Sequence, residues 1–203
     1  MKYPVDGSRA LRSVGTTLLS FIYPVWLFSF AILALHLAYM RAGYVYPAIV
    51  MCVLWVVLVT KMADIFAYVS GFLLGGRLFS RRLIPHISPK KTWEGFVGGI
   101  ITSGVFAVIM SFAYELIDSI INGGVHTFSV NWVYLTVMAL VISGLGVVGD
   151  LSASLVKREC SVKDFGNILP GHGGILDRFD SVLLAAPFAY MMFQIYFPIT
   201  PIA

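Results

Sequence analysis

Between Ser154 and Ser181 the chain reads SLVKRECSVKDFGNILPGHGGILDRFDS, a run that holds Asp164, Asp177 and Asp180, the cations Lys157, Arg158, Lys163 and Arg178, four glycines and His172. These residue types suit one kind of chemistry. Carboxylates hold a divalent cation, and two of them with phosphate oxygens make a usual magnesium shell. Lysine and arginine neutralise phosphate, arginine through paired hydrogen bonds. Glycines let main-chain N–H groups face an anion, as in Pro170-Gly171-His172-Gly173-Gly174. Asp150 comes just before this run, after Gly144, Gly146 and Gly149. If the helix there continues, Asp150, Ser154 and Lys157 share one face and Arg158 flanks it. An aspartate deep in an apolar segment is costly unless paired or metal-bound, and an Asp150–Lys157 ion pair that caps the helix is the plainer alternative. Asp150 and Asp177 are the expected metal ligands, with Lys157, Arg158, Lys163 and Arg178 on phosphates. His172 reads equally as a phosphate donor or a turn-stabiliser, and Asp164 and Asp180 as residues that orient Lys163 and Arg178.

Two further patches carry charge. Ser88-Pro89-Lys90-Lys91-Thr92-Trp93-Glu94-Gly95 opens an apolar segment. Ser88 or Thr92 can cap the helix beginning there, and Lys90 and Lys91 beside a helix N-terminus suit a phosphate or lipid headgroup. A basic membrane anchor with Trp93 at the interface is the alternative. Lys61 and Asp64 stand three apart inside an apolar run, close enough to pair within a helix. An ionisable pair in such a place also marks a functional site.

The elements that must position these residues are membrane spans. The 203 residues are 59% hydrophobic and 12% charged, about half the charge of a soluble domain. Five segments reach the roughly 20 apolar residues that cross a bilayer: Thr17 to Met40, Tyr44 to Gly75, Phe96 to Ile117, Trp132 to Gly149 and Ser181 to Phe197. The expected fold is therefore an all-α, polytopic transmembrane bundle of about five spans. The second segment is long for one straight span, so a break near Asp64 or an added short helix is expected. Gly71 and Gly75, four apart, suit close helix packing. Lys2, Arg9 and Arg12, then Arg77, Arg81, Arg82, Lys90 and Lys91, then Lys157, Arg158, Lys163 and Arg178 fall on one side of a five-span topology. The positive-inside rule makes that side, and the site loops on it, cytoplasmic. Cys52 and Cys160 form no disulfide framework, the N-terminus lacks a signal-peptide pattern, and nothing points to nucleic acid.

The chain also resembles the phosphatidate cytidylyltransferases, or CDP-diacylglycerol synthases. The resemblance rests on Ser154-x-x-Lys157-Arg158, Lys163-Asp164-x-Gly166, Leu169-Pro170-Gly171-His172-Gly173-Gly174 and Asp177-Arg178-x-Asp180-Ser181. Upstream, Asp64-x-x-Ala67-Tyr68, Ser88 through Gly95 and Gly149-Asp150-Leu151 stand in the same order as that family's motifs. It implies an integral membrane enzyme, in a bacterial inner membrane, that joins CTP and phosphatidate into CDP-diacylglycerol with release of pyrophosphate and a requirement for Mg2+. It implies metal ligation by Asp150 and Asp177, with Asp64 as a third acid. Substrate phosphates fall to Lys157, Arg158, Arg178, Ser154, Lys163 and the Gly171, His172, Gly173, Gly174 turn, and less firmly to Ser88, Lys90, Lys91 and Thr92. Residues 1–16 are then a cytoplasmic segment and 17–203 the catalytic domain. The resemblance departs in two places: family members usually carry further spans ahead of the matched region, and Phe72 follows Gly71 where a basic residue is common. A short form, a homodimer or a partner chain supplying those spans all fit the first departure. A transporter with Lys61, Asp64 and Asp150 as an ion relay, a non-catalytic subunit, and a transferase for an isoprenoid-derived lipid phosphate are the competing readings.

Overall fold

A computed structural model describes residues 46–79, 82–85, 87–121, 131–166, 168 and 173–196, with scattered positions between 14 and 36 that are all helical. The first expected span, Thr17 to Met40, is thus described only at those positions. Four helices carry the rest: α1 (Tyr46–Leu74), α2 (Trp93–Ile121), α3 (Trp132–Glu159) and α4 (Leu176–Tyr196), with a hairpin of β1 (Arg82–Ile84) and β2 (Ser88–Thr92) between α1 and α2. The protein is an all-α membrane helical protein with this one small sheet.

The expected break near Asp64 is absent: α1 runs unbroken through Lys61 and Asp64. It holds because both side chains find partners without interrupting the backbone ladder, as described below. The helix stops at the Gly75-Gly76 pair, where Gly76 takes φ +79°, a left-handed conformation that glycine adopts without strain. The hairpin was not expected from the sequence. Pro85 sets the turn, Ile87 N–H donates to Ile84 O at 3.3 Å, and Arg82 faces Thr92 while Ile84 faces Ser88, with an irregular register between. Thr92 then caps α2, its Oγ1 accepting from Gly95 N–H at 3.1 Å. Glu94 is buried in the first turn of α2 and pulls the end of α1 onto it, its Oε1 accepting from the N–H groups of Gly76, Leu78 and Phe79. Asn131 caps α3 by accepting from Tyr134 N–H. The far end of α3 closes through Ser161 at φ 54°, which lets Val162 N–H reach back to Lys157 O at 2.9 Å.

Small residues set the packing. α1 lies along α2 through Ala63, Ala67, Ser70 and Gly71 against Gly95, Gly98 and Gly99. A methyl group on Gly99 would lie 2.7 Å from Ala63 O, and one on Gly95 2.6 Å from Ala67 O. Gly71, singled out for close approach, sits in this seam, where a Cβ would lie 2.9 Å from Thr92 Oγ1. α3 meets α4 the same way, since a Cβ on Gly149 would come within 2.7 Å of Asp180 O. Ser103 Oγ donates to Ser143 Oγ at 2.9 Å between α2 and α3, both fully buried. Val56, Val59, Ala107, Met138, Ala139, Ile142, Ala185, Ala189 and Phe193 form the core. The outside is as apolar as the inside: Val97, Ile101, Val105, Ile109, Phe112 and Leu116 stand exposed at helical spacing along α2. Val53–Leu74, Trp93–Ile117 and Trp132–Glu159 are long and apolar enough to cross a membrane, matching the second, third and fourth expected spans. α4 is helical over the fifth, and its first turns carry Asp177, Arg178 and Asp180.

Gly99→Val should overpack the α1–α2 seam at a cost of about 1–3 kcal/mol and lower the thermal midpoint in detergent. Gly144→Ala should not, because a Cβ there meets nothing within 4 Å. Thermal denaturation of both variants beside the wild type checks the pair, and equal midpoints would refute the seam.

Candidate functional site

The connections place the C-terminal ends of α1 and α3, the N-terminal ends of α2 and α4 and the hairpin at one end of the bundle. A cavity of about 790 Å³ opens there, lined by Lys61, Asp64, Tyr68, Lys91, Thr92, Asp150, Asp177, Arg178 and Asp180, with Val57, Ile65, Phe96 and Val147 among its apolar walls. It reaches from the hairpin down to Lys61 and Asp64, ten or more residues short of the end of α1, or about 15 Å along the helix. The polar residues therefore sit in a funnel that begins at the charged end and penetrates the apolar bundle.

Three lysines organise its carboxylates. Lys157 Nζ pairs with Asp177 Oδ1 at 2.8 Å and stands 4.0 Å from Asp180 Oδ2. Lys91 Nζ, from β2, pairs with Asp150 Oδ2, from α3, at 2.7 Å. Lys61 Nζ donates to Asp64 Oδ2 at 3.2 Å and to Ser181 Oγ at 2.9 Å, and Ser181 Oγ donates to the same Asp64 oxygen at 2.9 Å. The Asp150–Lys157 cap anticipated as the plainer alternative does not form. α3 does continue through Glu159, but Asp150 pairs with Lys91 of β2 and Lys157 with Asp177 of α4 instead.

Asp177 ties the loop between α3 and α4 to the bundle. Its Oδ2 accepts from Phe165 N–H and from Gly174 N–H, both at 2.9 Å, while Oδ1 holds Lys157. Lys157 also lies over the Phe165 ring, 5.2 Å from its centroid. Gly173 takes φ +82° and Gly174 packs on Gly166, where a Cβ would lie 2.9 Å from Gly166 N. Burial raises the Asp177 pKa, but the Lys157 ion pair and the two amide donors outweigh it and hold the carboxyl below its ordinary value. Asp180, almost fully buried ahead of the apolar part of α4, is pushed the other way, first by burial and then by the Asp150 carboxylate.

Asp64, Lys91, Thr92, Asp150, Asp177 and Arg178 thus come together around one cavity. Lys157 joins them through Asp177. Ser154 is half-buried on α3, Arg158 and Lys163 are exposed beyond it, and Gly173 and Gly174 form the loop platform. Ser88 lies in β2 opposite Ile84. Lys90 lies in β2 by its backbone, while its side chain, Gly171 and His172 lie outside the described residues. Among the described residues no three His, Cys, Asp or Glu side chains lie close enough to hold a metal by themselves. Sequence reasoning gave Asp180 only a supporting role and missed Ser181 and Tyr23, whose hydroxyl donates to Gly149 O at 3.2 Å. Asp180 was legible: it stands one helical turn after Asp177, so both reach the same mouth.

The sequence profile of the cytidylyltransferase family matches residues 3–196. The chain is 40% identical to the phosphatidate cytidylyltransferase of Rickettsia bellii (strain RML369-C) over 146 residues, covering 71% of this chain and 56% of that protein. It is 42% identical to that of Bacillus subtilis (strain 168) over 127 residues, covering 63% and 43%. It is 41% identical to that of Staphylococcus haemolyticus (strain JCSC1435) over 135 residues, covering 66% and 46%. The chain spans about half the length of the curated relatives it matches.

The Asp177 contacts predict a pH limit. A depressed carboxyl contributes stability above its unfolded pKa, about 3.9, and loses that contribution as pH falls through the lower native value. Corrected for intrinsic exchange rates, the amides of Phe165 and Gly174 should be protected at neutral pH. They should lose protection below about pH 4 and in Asp177→Asn at any pH. Amide exchange read by mass spectrometry checks this, and equal protection in the variant would refute it.

Proposed function

The chain belongs to the cytidylyltransferase family, and on that premise we propose that it transfers the cytidylyl group of CTP to phosphatidate, yielding CDP-diacylglycerol and pyrophosphate. The observation that carries the proposal is the convergence of carboxylates and lysines on one cavity that starts at the charged end of the bundle and continues between apolar walls. A nucleotide triphosphate needs the first feature and a lipid phosphate needs both.

In this reading the phosphatidate phosphate is the nucleophile. One of its oxygens forms a bond to the α-phosphorus of CTP while the α–β phosphoanhydride bond breaks and pyrophosphate departs with the electron pair. That oxygen is already ionised at neutral pH, so no general base is required. Arg178, which lines the cavity, supplies charge to the triphosphate and the leaving pyrophosphate, and the exposed Arg158 and Lys163 of the same motif are assigned to the same phosphates. Lys157 holds Asp177 and so keeps the Gly173–Gly174 platform and the loop cations in position. Thr92 fixes the N-terminus of α2 at the cavity wall.

The donor set fits a divalent cation. Asp150 and Asp180 line the same cavity, and the Asp150 carboxylate helps to push the Asp180 carboxyl up; a hard cation would relieve that repulsion, and magnesium commonly takes one or two carboxylates and fills its shell with phosphate oxygens and water. Asp150 and Asp180 are the ligands this geometry favours. Asp177 is taken up by Lys157 and by the Phe165 and Gly174 amides, and Asp64 is held deeper by Lys61 and Ser181. When bound, magnesium would offset charge on the phosphate oxygens during transfer.

The same reading makes the chain an integral membrane protein whose charged end faces the cytoplasm of a bacterial cell, as Arg77, Arg82, Lys157, Arg158 and Lys163 at that end support. Residues 17–203 form its catalytic domain. An ion relay is less well served, because Lys61 and Asp64 line the same cavity as the other acids.

Radiolabelled CTP incubated with the purified chain, phosphatidate and Mg2+ should give a chloroform-soluble product. Asp150→Asn and Asp180→Asn should each lower the rate by at least about 100-fold, the scale seen when a transition-state charge stabiliser is removed. Omission of Mg2+ should abolish it. A folded wild type that makes no product, alone or with added membrane extract, would overturn the proposal.

A further inference from the structure

We propose that Lys91 is an exchangeable counter-cation: it neutralises Asp150 when no divalent cation does so, yields that seat to the cation, and carries its charge to the phosphate that arrives with it. The inference rests on the cytidylyltransferase reading and its divalent cation.

Three features of the pair support exchange. The contact is short, 2.7 Å from Lys91 Nζ to Asp150 Oδ2, and it joins elements far apart in sequence, β2 and α3. Both side chains are partly open to the cavity, at 23% and 33% exposure, so the pair competes with solvent and is weak enough to displace. Among the described residues, the other hydrogen bond of Lys91 is a long 3.5 Å contact to Val147 O. By contrast, Lys157 is 13% exposed against an Asp177 that is 6% exposed and locked by two amides, so that pair is not built to exchange.

The geometry makes co-occupancy unfavourable. A divalent cation ligated by Asp150 would share that carboxylate with Lys91. Two cations sharing one carboxylate repel, and the flexible lysine is the one able to move, on a four-carbon stem with three donors. Its backbone is fixed in β2, next to the Thr92 cap, so the head swings within the cavity mouth. Asp180 explains why a counter-cation is needed at all. Without Lys91 the Asp150 carboxylate would lose its ion-pair partner in a cavity that it shares with Asp180, whose own cations are Lys157, at 4.0 Å, and Lys61.

The test uses Mn2+ as the metal probe and a non-hydrolysable α,β-methylene analogue of CTP, with the full chain in nanodiscs. Lys91→Gln should bind Mn2+ alone about three- to fivefold more tightly than wild type, the scale of a partly exposed ion pair, by electron paramagnetic resonance titration. The same variant should bind the Mn2+–nucleotide complex about tenfold more weakly by calorimetry, the loss of one charge-assisted phosphate contact. Lys91→Arg should stay near wild type in both. A second readout needs no variant: in wild type, acylation of Lys91 by an amine-reactive ester should speed up with Mn2+ alone and slow down with Mn2+ and nucleotide. Unchanged or weaker Mn2+ binding in Lys91→Gln, or Lys91 acylation that ignores Mn2+, would overturn the exchange while leaving the transferase reading in place. A wild type that binds no Mn2+ with or without nucleotide would remove the divalent cation, and this inference with it.

Discussion

Everything at the charged end of this bundle depends on charge balance inside a poorly solvated space. Asp64, Asp150, Asp177 and Asp180 converge on one cavity, and an apolar bundle tolerates such a gathering only if cations answer each carboxylate. Lys91 and Lys157 do so from a different element than their acid, while Lys61 pairs with Asp64 on its own helix and reaches Ser181 on α4. Charge balance thus doubles as architecture. The lysine pairs join α1 to α4, β2 to α3 and α3 to α4, so the acids that define the cavity also hold its walls at fixed positions.

Close helix packing makes those short reaches available. Gly95, Gly98 and Gly99 let α2 press against the Ala63, Ala67 and Gly71 face of α1, and Gly149 lets α4 lie against α3 directly beside Asp150 and Asp180. A lipid-facing exterior gives no hydrophobic push for helices to associate, so backbone approach and interhelical hydrogen bonds such as Ser103–Ser143 supply it.

Much of this was legible in the residues. The apolar runs announced α1 and α2 to within a few residues and the start of α3, which runs ten residues past the expected Gly149, and the density of charge from Ser154 to Ser181 marked the mouth of the site. Thr92, one of two residues offered as the cap of α2, caps it, and Gly71 packs as read. Three things were not legible, for separate physical reasons. The hairpin is only eight paired residues in β1 and β2, too short for a period-2 pattern to emerge around Pro85 and Pro89. The continuity of α1 through Lys61 and Asp64 depends on Ser181, over a hundred residues away, which local pattern cannot see. The choice of ion-pair partners is likewise tertiary: helical spacing offered Lys157 to Asp150, and the fold gave it to Asp177 and brought Lys91 across instead.

The Lys61–Asp64–Ser181 triangle has a consequence for how the chain is made. α1 emerges from the ribosome carrying two ionisable groups near the middle of its apolar run, and the hydroxyl that completes their hydrogen bonding lies on α4, 117 residues later. Until α4 is synthesised, α1 can satisfy those groups only by pairing them with each other, an incomplete solution at bilayer depth. Insertion of this protein is therefore not a series of independent helix transfers. The full hydrogen bonding of α1 is thus coupled to the arrival of α4.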